Sequence, residues 1–289
     1  MRSSLAQYGY RLGRVLALVG CCLFFTACST KMAYNFLDWG LMWYVERYVD
    51  LNKEQKDKAE AAIDKFHHWH RTTQLPRYAK YITGLKERMA QPVTADQLHA
   101  ETDEIQIFLD DCVAFLLPTA VDIVSSFSEE QVQQVLEKFA KDRKDYDKKY
   151  ISTSMEKVVK ARQNELKDQI GPLFGRFTDQ QQKWVDEWST GMEYYEPLML
   201  AQQEDWAKML EEVLQKRDDK KLLDASLRKL MFYRSDDWDP ELEKQIDINQ
   251  TLTLEMMAKF MNHLTPTQRE RFNKKLDKYV EVFTELSSE

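Results

Sequence analysis

Residues Glu129–Ile170 read EEQVQQVLEKFAKDRKDYDKKYISTSMEKVVKARQNELKDQI. Val132, Leu136, Phe139, Tyr146, Tyr150, Met155, Val158, Leu166 and Ile170 recur mostly at intervals of three, four or their multiples, with mixed charges between them. That spacing lines apolar side chains along one face of an α-helix and leaves the charges to solvent. The run EKFAKDRKDYDKKY, with its alternating signs, reads as such a solvated face. One helix over 129–169 follows, ~60 Å long at 1.5 Å per residue. A second pattern runs through Trp184, Trp188, Met192, Tyr195, Met199, Trp206, Met209 and Val213. Between the two, GPLFGRFT holds two glycines and a proline, as a helical-hairpin turn requires. Further helices are expected at 33–49, 53–71, 77–90, 95–117, 219–232, 239–262 and 266–285. The fold expected is all-α, an elongated multi-helix bundle built around a long antiparallel helical hairpin.

Glycine usage argues the same way. The chain has eight glycines, and beyond Gly9, Gly13 and Gly20 only Gly40, Gly84, Gly171, Gly175 and Gly191 remain. Hairpin turns, phosphate-cradling loops and nucleophile elbows need residues at positive φ or close backbone approach, which glycine normally supplies. A β-rich or nucleotide-binding fold is therefore not expected.

The amino-terminal stretch is of another kind. Arg2, Arg11 and Arg14 form a positive region without acids, and Val15–Phe25 follow as an apolar or small-residue run. The run is too short to span a bilayer and suits a secretory signal. FFTACS then sets Thr26 and Ala27 before Cys28, and this resembles the lipobox of bacterial lipoproteins. The resemblance implies cleavage after residue 27 and acylation of Cys28. Ser29, in place of Asp, resembles the second residue of lipoproteins sorted onward, which implies the periplasmic face of the outer membrane. The expected organisation is a signal peptide over 1–27 and a periplasmic all-α domain over 28–289, with a candidate division into two helical subdomains near 118–128.

Charge and cysteine content narrow the function classes. The whole chain carries 41 Lys+Arg against 48 Asp+Glu, a net charge of -7, and residues 1–27 remove three Arg and no acid. So acidic a surface repels phosphate backbones, and no nucleic-acid partner is expected. With Cys21 and Cys22 in the signal and Cys28 acylated, Cys112 is the remaining thiol. It lies in the apolar run IFLDDCVAFLL, as a buried inert thiol would, and no internal disulfide or cysteine metal site is expected.

A short phrase recurs five times: DLNKEQKDK, PVTADQLHA, SFSEEQVQQ, RFTDQQQKW and HLTPTQRERF. Each has an apolar residue, then a cap type (Asn52, Thr94, Ser128, Thr178, Thr265), then Gln three positions on (Gln55, Gln97, Gln131, Gln181, Gln268). This is capping-box spacing, in which the cap side chain accepts from the third amide and the Gln reaches back to the cap's own N–H. On capping alone, Glu would serve equally at the Gln positions. The copies stand at irregular intervals, unlike a solenoid. The other reading is a partner-binding motif. LTPTQRERF resembles the Leu-Thr-x-x-Gln motif of Spy- and CpxP-type periplasmic chaperones, which implies unfolded or envelope-protein clients. CSTKMAYNFLDW, YVDLNKEQ and HRTTQLPRYA together resemble a proteobacterial lipoprotein family of uncharacterised function.

Two other stretches carry site candidates. KFHHWHR puts His67 and His70 on one helical face, as metal-binding imidazoles or as ordinary residues of an amphipathic surface. NFLDWGLMWYVERYV is aromatic on several faces, so Trp39, Trp43 and Tyr44 are either core or membrane-interface residues beside the anchor. No nucleophile–base arrangement is legible, and neither catalysis nor a cofactor is expected. The function expected is a membrane-anchored, non-catalytic binding or scaffold module. A chaperone holdase and a metal-binding envelope protein are the alternatives.

Overall fold

A computed structural model describes residue 34 and residues 36–232 and 238–288, and among these the regular structure is helical throughout. The α-helices are α1 (Leu37–Glu46), α2 (Lys53–Trp69), α3 (Leu75–Arg88), α4 (Ala95–Val124), α5 (Glu129–Tyr150), α6 (Met155–Phe174), α7 (Asp179–Gly191), α8 (Glu196–Gln215), α9 (Lys220–Met231), α10 (Pro240–Asn262) and α11 (Pro266–Ser288). The all-α bundle expected from periodicity is the fold observed. The signal-peptide and lipobox readings, Cys28 included, fall outside the described residues.

The expected break between 71 and 77 is instead a π-helical segment, His70–Gln74, that joins α2 to α3 into one rod. Pro76 explains the register change. It has no N–H to give, and its ring would crowd the carbonyl four residues back. One wider turn absorbs both, with the Leu75 amide donating to the His70 carbonyl. Thr72 Oγ1 donates to the His68 carbonyl at 2.9 Å, satisfying an acceptor beside the widened turn. Pro118 likewise sits inside α4, which continues to Val124 rather than stopping at 117.

Two long patterns are each interrupted. The single helix expected over 129–169 is two helices, α5 and α6, which fold back on one another. Ile151–Ser154 makes the break: the Ser152 hydroxyl donates to Asp147 Oδ2 at 2.7 Å, and Ser154 caps α6. Short hydroxylated side chains compete for backbone groups, which an apolar-spacing argument does not register. The 184–213 pattern divides at Met192–Tyr195, where Asn249 on α10 exchanges hydrogen bonds with both the N–H (2.7 Å) and the carbonyl (3.1 Å) of Glu193. The turn read at GPLFGRFT is present, with Gly175 at φ 75°. Gly171 and Pro172 are still inside α6.

Two large apolar centres form most of the body, with two smaller ones around Leu242 and around Leu286. Of the large pair, one gathers Leu117 and Val121 of α4, Val132 of α5, Leu214 of α8 and Leu223 of α9. The other gathers Phe174 of α6, Val185 of α7, Phe260 of α10 and Phe272 of α11. α4 touches α2 and α9 in one direction and α10 in the other, and α11 lies along α3. A buried ion pair tightens the α6–α8 contact. Arg162 donates to Glu196 at 2.6 and 2.7 Å from one nitrogen and 3.0 Å from Nε, with the two side chains 6% and 2% exposed. Burial pushes the Glu196 carboxyl above the usual carboxylate range, against the pull of Arg162.

Candidate functional site

All five recurring motifs form capping boxes. Asn52, Thr94, Ser128 and Thr178 each accept from the Gln amide three residues on, while that Gln's Oε1 accepts from the cap N–H. Thr265 and Gln268 do the same at 3.2 and 3.0 Å. Capping uses one face of each carboxamide. What its Nε2 does separates four copies from the fifth.

Gln55 and Gln131 meet head to head, Nε2 of each donating to Oε1 of the other, at 3.1 and 2.6 Å. The second hydrogen of each Nε2 goes to the partner motif's entry loop. Gln55 donates to the Ser126 carbonyl at 3.0 Å and Gln131 to the Asp50 carbonyl at 2.7 Å. Gln181 and Gln268 repeat the arrangement at 2.9 and 2.8 Å, with second donations to the carbonyls of His263 (3.3 Å) and Arg176 (2.9 Å). In every case the accepting carbonyl lies two residues before the partner's cap, so each clasp has local two-fold character. Every donor and acceptor of the four carboxamides is used, as buried amides require. Their exposures are 1% for Gln55, 7% for Gln131, 0% for Gln181 and 4% for Gln268.

The apolar residue ahead of each cap completes the device. Leu51 and Phe127 enter the first apolar centre beside one clasp, and Phe177 and Leu264 pack against the second beside the other. Arg217 reinforces the first clasp, donating to the Phe127 carbonyl at 2.7 Å and to Glu129 at 2.5 Å. Thr94 and Gln97, the unpaired copy, are exposed and only cap. Sequence reasoning missed this pairing. A signal was present: Gln occupies the third position in all five copies of an acidic chain, although Glu caps as well and suits a helix N-terminus better. Gln supplies an Nε2 donor that Glu lacks, and four of the five copies use it; at Gln97 the same choice serves capping alone.

His67 and His70 lie in an aromatic cluster at the π segment. His70 Nδ1 is 2.9 Å from the Tyr34 hydroxyl, and its ring lies against Phe66, Trp69 and Tyr78. Burial, then the neighbouring His67, lowers the His70 pKa to about 4. Burial lowers that of His67 as well. Among the described residues no cluster of three or more His, Cys, Asp or Glu is placed to hold a metal. Cys112 is half-buried, its Sγ 3.6 Å from the Tyr78 hydroxyl, and burial raises its pKa.

Trp39, Trp43 and Tyr44 project outward from α1, as does Phe36 just before it; their exposures are 67%, 50%, 53% and 60%. The opposite face of α1 supplies Met42 and Val45 to the first apolar centre. The helix is therefore apolar on both sides, and the core reading holds for Met42 and Val45 but not for the exposed Trp39, Trp43 and Tyr44. No described helix is long and apolar enough to cross a membrane.

A family profile matches residues 47–243, well over half of the chain. The chain belongs to the family of unknown function DUF6279. The DUF6279 match contains the first clasp entire and Gln181 of the second, and it begins after the aromatic face of α1. No curated protein and no solved structure matches the chain.

Proposed function

We propose that this DUF6279 chain is a lipoprotein of the Gram-negative envelope, held at the periplasmic face of the outer membrane by acylated Cys28, and that it acts as a non-catalytic binding or scaffold body. The observation that carries the reading is the outward aromatic face of α1, which begins at Phe36, eight residues after the cysteine of the lipobox-like FFTACS. An acylated cysteine needs more than one chain for stable attachment, and a triacylated amino terminus supplies it. The repeated motifs support a scaffold, because four of their five glutamines are spent inside the body locking helix starts together. A client-binding role for those motifs would need the same carboxamides at the surface, where only Gln97 stands.

The anchor is tested by mass spectrometry of the amino-terminal peptide and by cell fractionation. Lipid on Cys28, with release from the membrane or loss of processing in Cys28→Ser, is expected. An unmodified Cys28 in a protein that still sediments with membranes would end the proposal. Crosslinking in living cells from exposed positions such as Gln97, followed by identification of the captured proteins, tests the scaffold role.

A further inference from the structure

We infer that the outward face of α1 is a second membrane contact, seated flat in the headgroup layer so that it fixes how the helical body stands on the bilayer; this rests on the proposed acylation of Cys28. Phe36, Trp39, Trp43 and Tyr44 are the four most exposed large hydrophobic residues among those described, and they fall within nine consecutive positions. Their spacing of i, i+3, i+7 and i+8 puts them on one face of the helix. The helix has already met its packing need on the other side through Met42 and Val45, so the outward face is surplus to the core. Surplus exposed apolar area of this kind marks an interaction surface.

Three observations select a bilayer as the occupant. The residue types are two Trp, a Tyr and a Phe, and amphipathic aromatic rings favour the headgroup level. Arg47 lies over Trp43 at 5.0 Å from the ring centroid, which puts a cation on the same face, suited to anionic lipid phosphates. The chain upstream also permits little else. Tyr34 is held at the junction of α2 and the π segment by its hydroxyl contact with His70 and by ring contacts with His67 and His70. Five residues separate Cys28 from that fixed point, a span of at most ~20 Å when fully extended. An acylated Cys28 therefore keeps α1 within reach of the headgroups at all times.

The contact would orient the body because α1 is firmly joined to it. Glu46 pairs with Lys56 of α2 at 2.7 Å, and Tyr48 lies on Phe139 of α5 with ring centroids 5.3 Å apart.

The test uses the full chain purified in detergent and reconstituted into vesicles of phosphatidylethanolamine and phosphatidylglycerol, with lipids brominated high on the acyl chain as quenchers of tryptophan emission. The expected result is quenching that is mostly lost in Trp39→Phe/Trp43→Phe and retained in Trp206→Phe, since Trp206 packs against the first apolar centre. The α1 double variant should keep the wild-type circular dichroism, because phenylalanine at exposed α1 positions removes no core contact. Mass spectrometry of the Cys28 peptide is read on the same sample. Lipid on Cys28 without quenching would overturn this inference and leave the anchor standing; absence of lipid would remove both. Quenching that persists in the double variant would assign the contact to another surface and overturn the inference. So would self-association through α1 without quenching, which would make a second copy the occupant.

Discussion

Gln268→Glu separates a clasp from a simple capping box. The glutamate can still accept from the Thr265 N–H, so the box survives. The Nε2 donations to the Arg176 carbonyl (2.9 Å) and to Gln181 Oε1 (2.8 Å) do not survive. Losing the two hydrogen bonds costs ~1–3 kcal/mol together, with Gln181 Oε1 keeping the Thr178 N–H. A carboxylate would also stand at a position only 4% exposed, facing the carboxamide oxygen of Gln181. The combined cost at neutral pH is ~3–6 kcal/mol. For a chain of this size that lowers the melting midpoint by on the order of 10 °C. The control is Gln97→Glu in the exposed copy, where the change should stay within ~0.5 kcal/mol. Acid should narrow the difference. Burial raises the folded-state pKa of the introduced acid, so the penalty is full above that value. It fades as pH falls towards the unfolded value near 4, where a protonated carboxyl can donate again. Thermal unfolding of wild type, Gln97→Glu and Gln268→Glu at several pH values reads all of this. Equal midpoints for the two variants at pH 7 would refute the clasp.

Other outcomes follow from the same geometry. Thr265→Ala should cost about 1 kcal/mol, the usual worth of an N-cap, and Thr265→Ser should retain most of it, as denaturant unfolding would read. Glu196→Ala should cost ~3–5 kcal/mol because it strands a buried guanidinium, and Arg162→Met/Glu196→Leu should cost less than that single change by thermal unfolding. His70, with its pKa lowered from 6.5 to about 4, binds its proton more weakly folded than unfolded. It therefore contributes stability that is complete above pH 6.5 and is lost as pH falls towards 4, about 3 kcal/mol in all. Comparing wild type with His70→Phe across that range isolates the effect, and parallel curves would show that His70 titrates normally.

The amino-acid order alone determined the class of fold, most helix positions and all five helix starts, because these depend on local spacing and on side chains that reach their own backbone. The same locality explains the errors. Apolar periodicity ran on through Ile151–Ser154 and Met192–Tyr195, since a helix can break and resume in phase. The first break is made by short-range serine hydrogen bonds, and the second is held by Asn249 from a helix far along the chain. The expected boundaries at 71–77 and at 117 stand beside Pro76 and Pro118, and the chain stays helical past both, once by a π turn. Only the tertiary structure could decide that Gln55 meets Gln131 and Gln181 meets Gln268, while Gln97 meets no other motif. A capping box is satisfied within four residues, but the second face of its carboxamide is assigned by whichever loop the fold brings within hydrogen-bonding distance. For α1 the sequence gives an apolar helix, and the position of the first apolar centre decides which of its two faces is left outside.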